Sequence, residues 1–205
     1  MVDVLLVGAE ELENLGTRYL AAVLRQHGYS VELAAFTTAD DLDAVVRQAR
    51  RVRPRLIGLS IIFQYRAPEF MALAADLRRS LPTTHITVGG HFPTFAAQEL
   101  LRDFPALDSV VRGEGEFTLL ELVEKLGTPQ TWDAILGLAF RRDGRRLHPL
   151  RRMRVLCGRL RAGRARRLRI ERIGHKTRCY MGLRRLGFSR PILQYYAKPN
   201  RRRPA

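Results

Sequence analysis

The sequence predicts an α/β protein built on a doubly wound, five-stranded parallel sheet, a Rossmann-like arrangement of three layers. Three observations predict it. Short apolar runs alternate with stretches of helical period five times between Val4 and Leu126. The runs are apolar at nearly every position, as strands buried on both faces must be. Glycine or proline punctuates most of the junctions.

The elements follow in order. Val4 to Val7 is a strand that ends at Gly8. From Leu15 to His27 the residues Leu20, Val23 and Leu24 form a helical stripe, and Gly28 caps its end. Val31 to Phe36 is the second strand. Asp40 and Asp41 open a helix that buries Leu42, Val45, Val46 and Ala49. Its acidic start and basic end suit the helix dipole, and Pro54 stops it. Leu56 to Ile62 is the most apolar and most central strand. Pro68 starts a third helix with Phe70, Leu73, Ala74 and Leu77 inward, ended by Pro82. Ile86 to Val88 is a strand broken by Gly89-Gly90. Pro93-Thr94 starts a helix that runs to Phe104-Pro105. Ser109 to Val111 is the fifth strand and Phe117 to Leu126 the fifth helix. Leu138 to Leu147, with Asp143-Gly144 between its arms, reads as a small β-hairpin.

The charge is divided between two regions. The net charge of the 205 residues is +16. Residues 1–150 carry 17 Lys and Arg against 19 Asp and Glu, whereas 151–205 carry 19 against a single acid, Glu171. The basicity belongs to the tail, and the body gives no electrostatic reason to expect nucleic acid. Both cysteines, Cys157 and Cys179, also lie in the tail. The apolar runs are far short of the ~20 residues a spanning helix needs, and Asp3 stands where a signal peptide would be apolar or basic. The expectation is a soluble cytoplasmic protein without a membrane partner. It has a domain at 1–148 and an Arg-rich tail at 149–205 that is not an independent domain.

In an open α/β sheet, ligands bind beyond the carboxyl ends of the strands. The loops there run Gly8 to Gly16, Ser60-Ile61-Ile62, Gly89-Gly90-His91 and Arg112-Gly113-Glu114-Gly115-Glu116. One glycine after a strand is ordinary turn chemistry. Several at one sheet edge point to a ligand that approaches the backbone closely. Gly113-x-Gly115 matches part of a dinucleotide fingerprint, but Thr118 replaces the last glycine, and Glu114 and Glu116 would repel a pyrophosphate. Ser60 and Arg112 stand where a phosphate-accepting receiver needs an Asp and a Lys. No Walker loop, zinc-binding His-Glu-x-x-His or Ser-His-Asp arrangement is present.

These loops resemble those of cobalamin-binding flavodoxin-like domains, which carry Asp-x-His-x-x-Gly, then Ser-x-Leu, then Gly-Gly. The chain has Glu11-x-Glu13-x-x-Gly16, Ser60-Ile61-Ile62 and Gly89-Gly90 in those places. The family's cobalt-ligating His is replaced by Glu13. The subfamily that lacks this His is the cobalamin-dependent radical S-adenosylmethionine enzymes. Thr87-Val88-Gly89-Gly90-His91-Phe92-Pro93-Thr94, Val110-Val111-Arg112-Gly113-Glu114-Gly115-Glu116 and Ile135 to Gly144 are similar to its N-terminal domain. The resemblance spans residues 3 to 148. It implies cobalamin as the cofactor, with no protein His on cobalt and no metal ligand from this chain. The implied cofactor-binding residues are Gly16, Ser60, Ile62, Gly89, Gly90, His91, Gly113, Glu114 and Gly115. Glu11 and Glu13 are read as solvated loop acids.

In that subfamily a barrel follows, opened by Cys-x-x-x-Cys-x-x-Cys, whose thiolates hold a [4Fe–4S] cluster that binds S-adenosylmethionine. Here Cys179 is followed by Leu183 and Leu186 at the other two positions, so no such cluster can form on this segment. About 55 residues also cannot build a barrel. The cluster and S-adenosylmethionine are expected only in an intact relative. The tail reads as a frameshift product or the stub of a broken gene, and the chain is not expected to be catalytic alone. A separate radical S-adenosylmethionine barrel is a candidate partner. Two other readings stay open at this point: a flavodoxin-like interaction module without corrinoid, and nucleic-acid binding through the basic tail, which is not the favoured one.

Overall fold

The computed structural model describes residues 2–9, 14–142 and 146–147. Five parallel strands form the centre of the sheet: β1 (Val4–Gly8), β2 (Val31–Ala35), β3 (Leu56–Ser60), β4 (His85–Gly89) and β5 (Ser109–Val111). Two further strands, β6 (Leu138–Arg142) and β7 (Arg146–Leu147), complete the order β2-β1-β3-β4-β5-β6-β7. The order reverses between β1 and β3, which is the doubly wound, flavodoxin-like topology with its switch point at that junction.

The helices α1 (Leu15–Gln26), α2 (Leu42–Val52), α3 (Ala67–Ser80), α4 (His91–Asp103) and α5 (Glu116–Glu124) connect the strands. Strand residues alternate between the two faces. Leu5, Val7, Ile57, Leu59, Ile86 and Val88 face a core shared with α2, α3 and α4. Val4, Leu6, Leu56 and Val111 face a second core shared with α1 and α5.

The termini show why each helix starts and stops where it does. Asn14 caps α1, with its side chain accepting the Thr17 amide at 3.2 Å. Gly28 follows α1 with φ +85, a conformation that suits glycine. Asp41 accepts the amides of Thr37 and Thr38 at 2.8 and 2.9 Å, and α2 begins directly after it. Arg53 leaves α2 in a left-handed conformation just before Pro54. In α3 the predicted inward residues Phe70, Leu73, Ala74 and Leu77 are all buried.

Two expectations on the elements need correction. The third strand ends at Ser60 rather than Ile62: Ile61 is buried and still donates to the Gly89 carbonyl at 2.8 Å, and the chain leaves the sheet at exposed Ile62. The fourth helix starts at His91, two residues before Pro93. The expected hairpin forms between β6 and β7, and β6 also pairs antiparallel with β5 and widens the main sheet. The physical reason lies in its sequence. Leu138, Ala139 and Phe140 are apolar in succession and all buried, so both faces of β6 are covered. The hairpin tip at 143–145 and everything from His148 onward, including the tail and both cysteines, lie outside the described residues. No helix of the described residues is long and apolar enough to cross a membrane.

Candidate functional site

The face of the sheet under α1 and α5 loses its bulk toward the carboxyl edge. Leu6, Gly58 and Thr87 stand in register across β1, β3 and β4. Two residues further on, Gly8, Ser60, Gly89 and Val111 form a second row across β1, β3, β4 and β5. The opposite face at the same level carries Val7, Leu59 and Val88, all buried. Small residues under two helices leave a groove, and a cavity of about 190 Å³ fills it.

Gly16 and Thr17 of α1, Ser60, Gly89 and Gly90, and Gly113 to Glu116 line the cavity, with Leu6, Leu20 and Leu119 as apolar wall. The glycines make the room. A Cβ on Gly58 would come within 2.8 Å of the Leu6 side chain. Gly90 has φ +111, and a Cβ there would lie 2.5 Å from the Ile61 carbonyl oxygen, so no other residue fits without displacing backbone.

The structure therefore brings Gly16, Ser60, Gly89, Gly90, Gly113, Glu114 and Gly115 together around one space. Ile62 and His91 do not line it. Ile62 is 43% exposed just after β3. His91 is exposed at the first position of α4, its ring edge-on to Phe95 at 5.3 Å. Phe63 and Tyr65 stack at 5.6 Å in the same β3–α3 loop. Ile62, Phe63, Tyr65 and Phe95 thus give this sheet edge an exposed apolar rim. Glu11 and Glu13 lie outside the described residues.

Four lining residues are not among the cofactor-binding residues the resemblance implies: Thr17, Leu20, Thr87 and Glu116. Glu116 Oε2 is buried and makes no hydrogen bond among the described residues. Thr87 forms the polar part of the floor. Its hydroxyl donates to the Ser109 carbonyl at 3.2 Å and accepts from Ser109 Oγ at 2.8 Å. His85 Nε2 lies 2.8 Å from Ser109 Oγ, 24 residues away along the chain. Burial pushes the His85 imidazole down to about 4, against a smaller upward pull from Asp108, so the ring is neutral at physiological pH. Among the described residues no group of three or more His, Cys, Asp and Glu side chains is placed to hold a metal ion.

The model of the B12 binding domain family matches residues 1–123. The chain belongs to that family. Its members' cofactor is cobalamin, and the groove passes a first test of fit: a cradle that side chains larger than glycine would fill, apolar walls, and a buried acceptor oxygen. The chain is 34% identical over 137 residues to the anaerobic magnesium-protoporphyrin IX monomethyl ester cyclase of Synechocystis sp., covering 65% of this chain and 27% of that protein. It is 32% identical over 128 residues to the hopanoid C-3 methylase of Methylococcus capsulatus, covering 62% and 25%. The chain thus spans about a quarter of the length of these curated relatives. Among solved structures, the cobalamin-dependent S-adenosylmethionine radical enzyme OxsB, with aqua-cobalamin and S-adenosylmethionine bound, shares the fold. The TM-score is 0.62 at 22% identity, over 76% of this chain and 23% of that one.

Proposed function

We propose that this B12 binding domain holds cobalamin along the carboxyl edge of its sheet, with the nucleotide tail in the groove between α1 and α5. The observation that carries the reading is the double row of small residues, Gly58-Thr87 and Gly8-Ser60-Gly89, beneath those helices. A flat base with its ribose needs a slot open to the sheet edge, and bulk at any of these positions would close it. Ser60 Oγ offers a hydrogen bond, and Glu116 Oε2 accepts one from a ligand hydroxyl or amide N–H. The apolar rim of Ile62, Phe63, Tyr65 and Phe95 suits a broad corrin ring laid over the edge.

The cobalt receives no protein histidine in this reading. Glu13 occupies the position of the family's His. His85, its side chain 10% exposed, sits at the amino end of β4, His27 follows the last turn of α1, and His91 at the start of α4 packs its ring edge-on against Phe95, outside the cavity lining. When bound, cobalamin supplies methyl-transfer or radical chemistry at cobalt, and the chain's own residues bind and orient it. The chain serves as the cofactor module of a radical S-adenosylmethionine methyltransferase-like system, with the catalytic chemistry on a separate barrel.

The test is an absorbance titration of the full chain with hydroxocobalamin, beside Gly16→Trp. Gly16 lies at the start of α1 and its added Cβ meets only Asn14 Oδ1, at 3.4 Å. The backbone therefore accepts a side chain at this position, which lines the groove. Saturable binding that Gly16→Trp weakens at least about tenfold, which is about 1.4 kcal/mol, supports the reading. No spectral change with the wild type overturns it and leaves an interaction module without corrinoid.

A further inference from the structure

We infer that Thr94 is a positioning residue that ties the two glycine loops of the groove into one rigid wall. Its hydroxyl donates to the Gly90 carbonyl at 2.8 Å and accepts the Gly113 amide at 3.0 Å. Its backbone carbonyl accepts Arg112 Nε at 3.3 Å. Gly90 belongs to the loop after β4 and Gly113 to the loop after β5, and both line the cavity. Both also have positive φ, +111 and +71. Glycines in that region have the widest conformational choice of any residue. The Gly90 carbonyl also accepts the Thr94 amide at 3.3 Å, so what the hydroxyl adds is the link from that turn to the Gly113 loop.

Thr94 supplies the tie from a half-buried position in the first turn of α4. A hydroxyl is required, because one group must donate to one loop and accept from the other. Gly113 itself is exposed. Water can satisfy its amide once Thr94 is replaced, so losing the bond costs the fold little. The consequence falls on loop position, and hence on ligand affinity through lost preorganisation.

This inference rests on the cobalamin reading for its ligand but not for its geometry, and the experiment separates the two. Thr94→Ser keeps the hydroxyl, Thr94→Val keeps the shape without it, and Thr94→Ala replaces Val should Val not fold. In the ligand-free full chain, the Gly113 amide exchanges with solvent slowly in the wild type and in Thr94→Ser. It exchanges about tenfold faster in Thr94→Val or Thr94→Ala. With hydroxocobalamin, Thr94→Ser stays within about twofold of the wild-type Kd, while the hydroxyl-free variants bind about tenfold more weakly with little change in Tm. An unprotected Gly113 amide in the wild type overturns the inference, as does a hydroxyl-free variant with unchanged Kd or a serine variant that fails to restore it. A wild type that binds no hydroxocobalamin sinks the functional reading, while amide exchange still decides whether the tie exists.

Discussion

His85 sets a pH window for stability. Its folded value of about 4 lies below its ordinary 6.5 because burial disfavours the imidazolium. Above pH 6.5 the ring is neutral folded or unfolded and makes no pH-dependent difference. Between 6.5 and 4 the unfolded chain binds a proton that the folded chain refuses, so stability falls as pH falls, by up to about 3 kcal/mol. Asp3 and Asp41, whose carboxyls are held low mainly by hydrogen bonds from Ser30 and from Thr38 and Thr37, lose their contribution only at lower pH. Denaturant unfolding from pH 7 to 4.5 should show the slope, and His85→Asn should flatten it. At Gly90, strain and the clash with Ile61 combine, so Gly90→Ala should lower stability by at least about 2 kcal/mol. Thermal unfolding reads this directly. The residue scale also shows what the sequence reveals. Gly90, Ser60 and Gly113 were legible because they follow strands, where ligands bind. The part that Thr87 and Glu116 play in the groove was not, because it depends on which face of the sheet they share with α1 and α5. Gly58 gave a signal that went unread: a glycine inside an otherwise apolar strand marks a close approach.

Among the elements, α1 depends on its cap. Asn14 accepts the Thr17 amide and donates to the Ala9 carbonyl at 3.2 Å, so it fixes the helix start and ties it to the end of β1. Asn14→Ala should cost about 1 kcal/mol, measured as a shift in the urea midpoint. Helix α3 depends on its inward face. Phe70 is 1% exposed and meets Phe36 edge-on at 4.9 Å, with the Arg66 guanidinium over both rings. Phe70→Ala should destabilise by about 3–5 kcal/mol in the same assay. The order and type of α1 to α5 and β1 to β5 were legible, since period and punctuation agree along each. The role of β6 was not. A hairpin signal reports its own turn, and only the apolar succession Leu138-Ala139-Phe140 hints that both faces are covered.

On the scale of the whole molecule, the fold and the groove have one cause. The strand order 2-1-3-4-5 sends α1 and α5 to one face and α2, α3 and α4 to the other. The face under α1 and α5 is the one where Gly58, Ser60, Thr87 and Gly89 replace the large side chains found opposite. Of the residues the resemblance implies, Gly16, Ser60, Gly89, Gly90, Gly113, Glu114 and Gly115 line this groove, and Ile62 and His91 do not. The proposal that no protein histidine ligates cobalt has its own readout. Electron paramagnetic resonance of the bound cobalt(II) form should lack nitrogen splitting from a protein histidine.

The most direct test of the central claim compares hydroxocobalamin with cobinamide, the corrinoid without a nucleotide tail. If the groove holds that tail, cobinamide should bind the full chain at least about a hundredfold more weakly, and filling the groove mouth with Gly16→Trp should bring the two affinities together. Equal affinity of the wild type for both corrinoids would contradict the account, because the groove would then contribute nothing to binding.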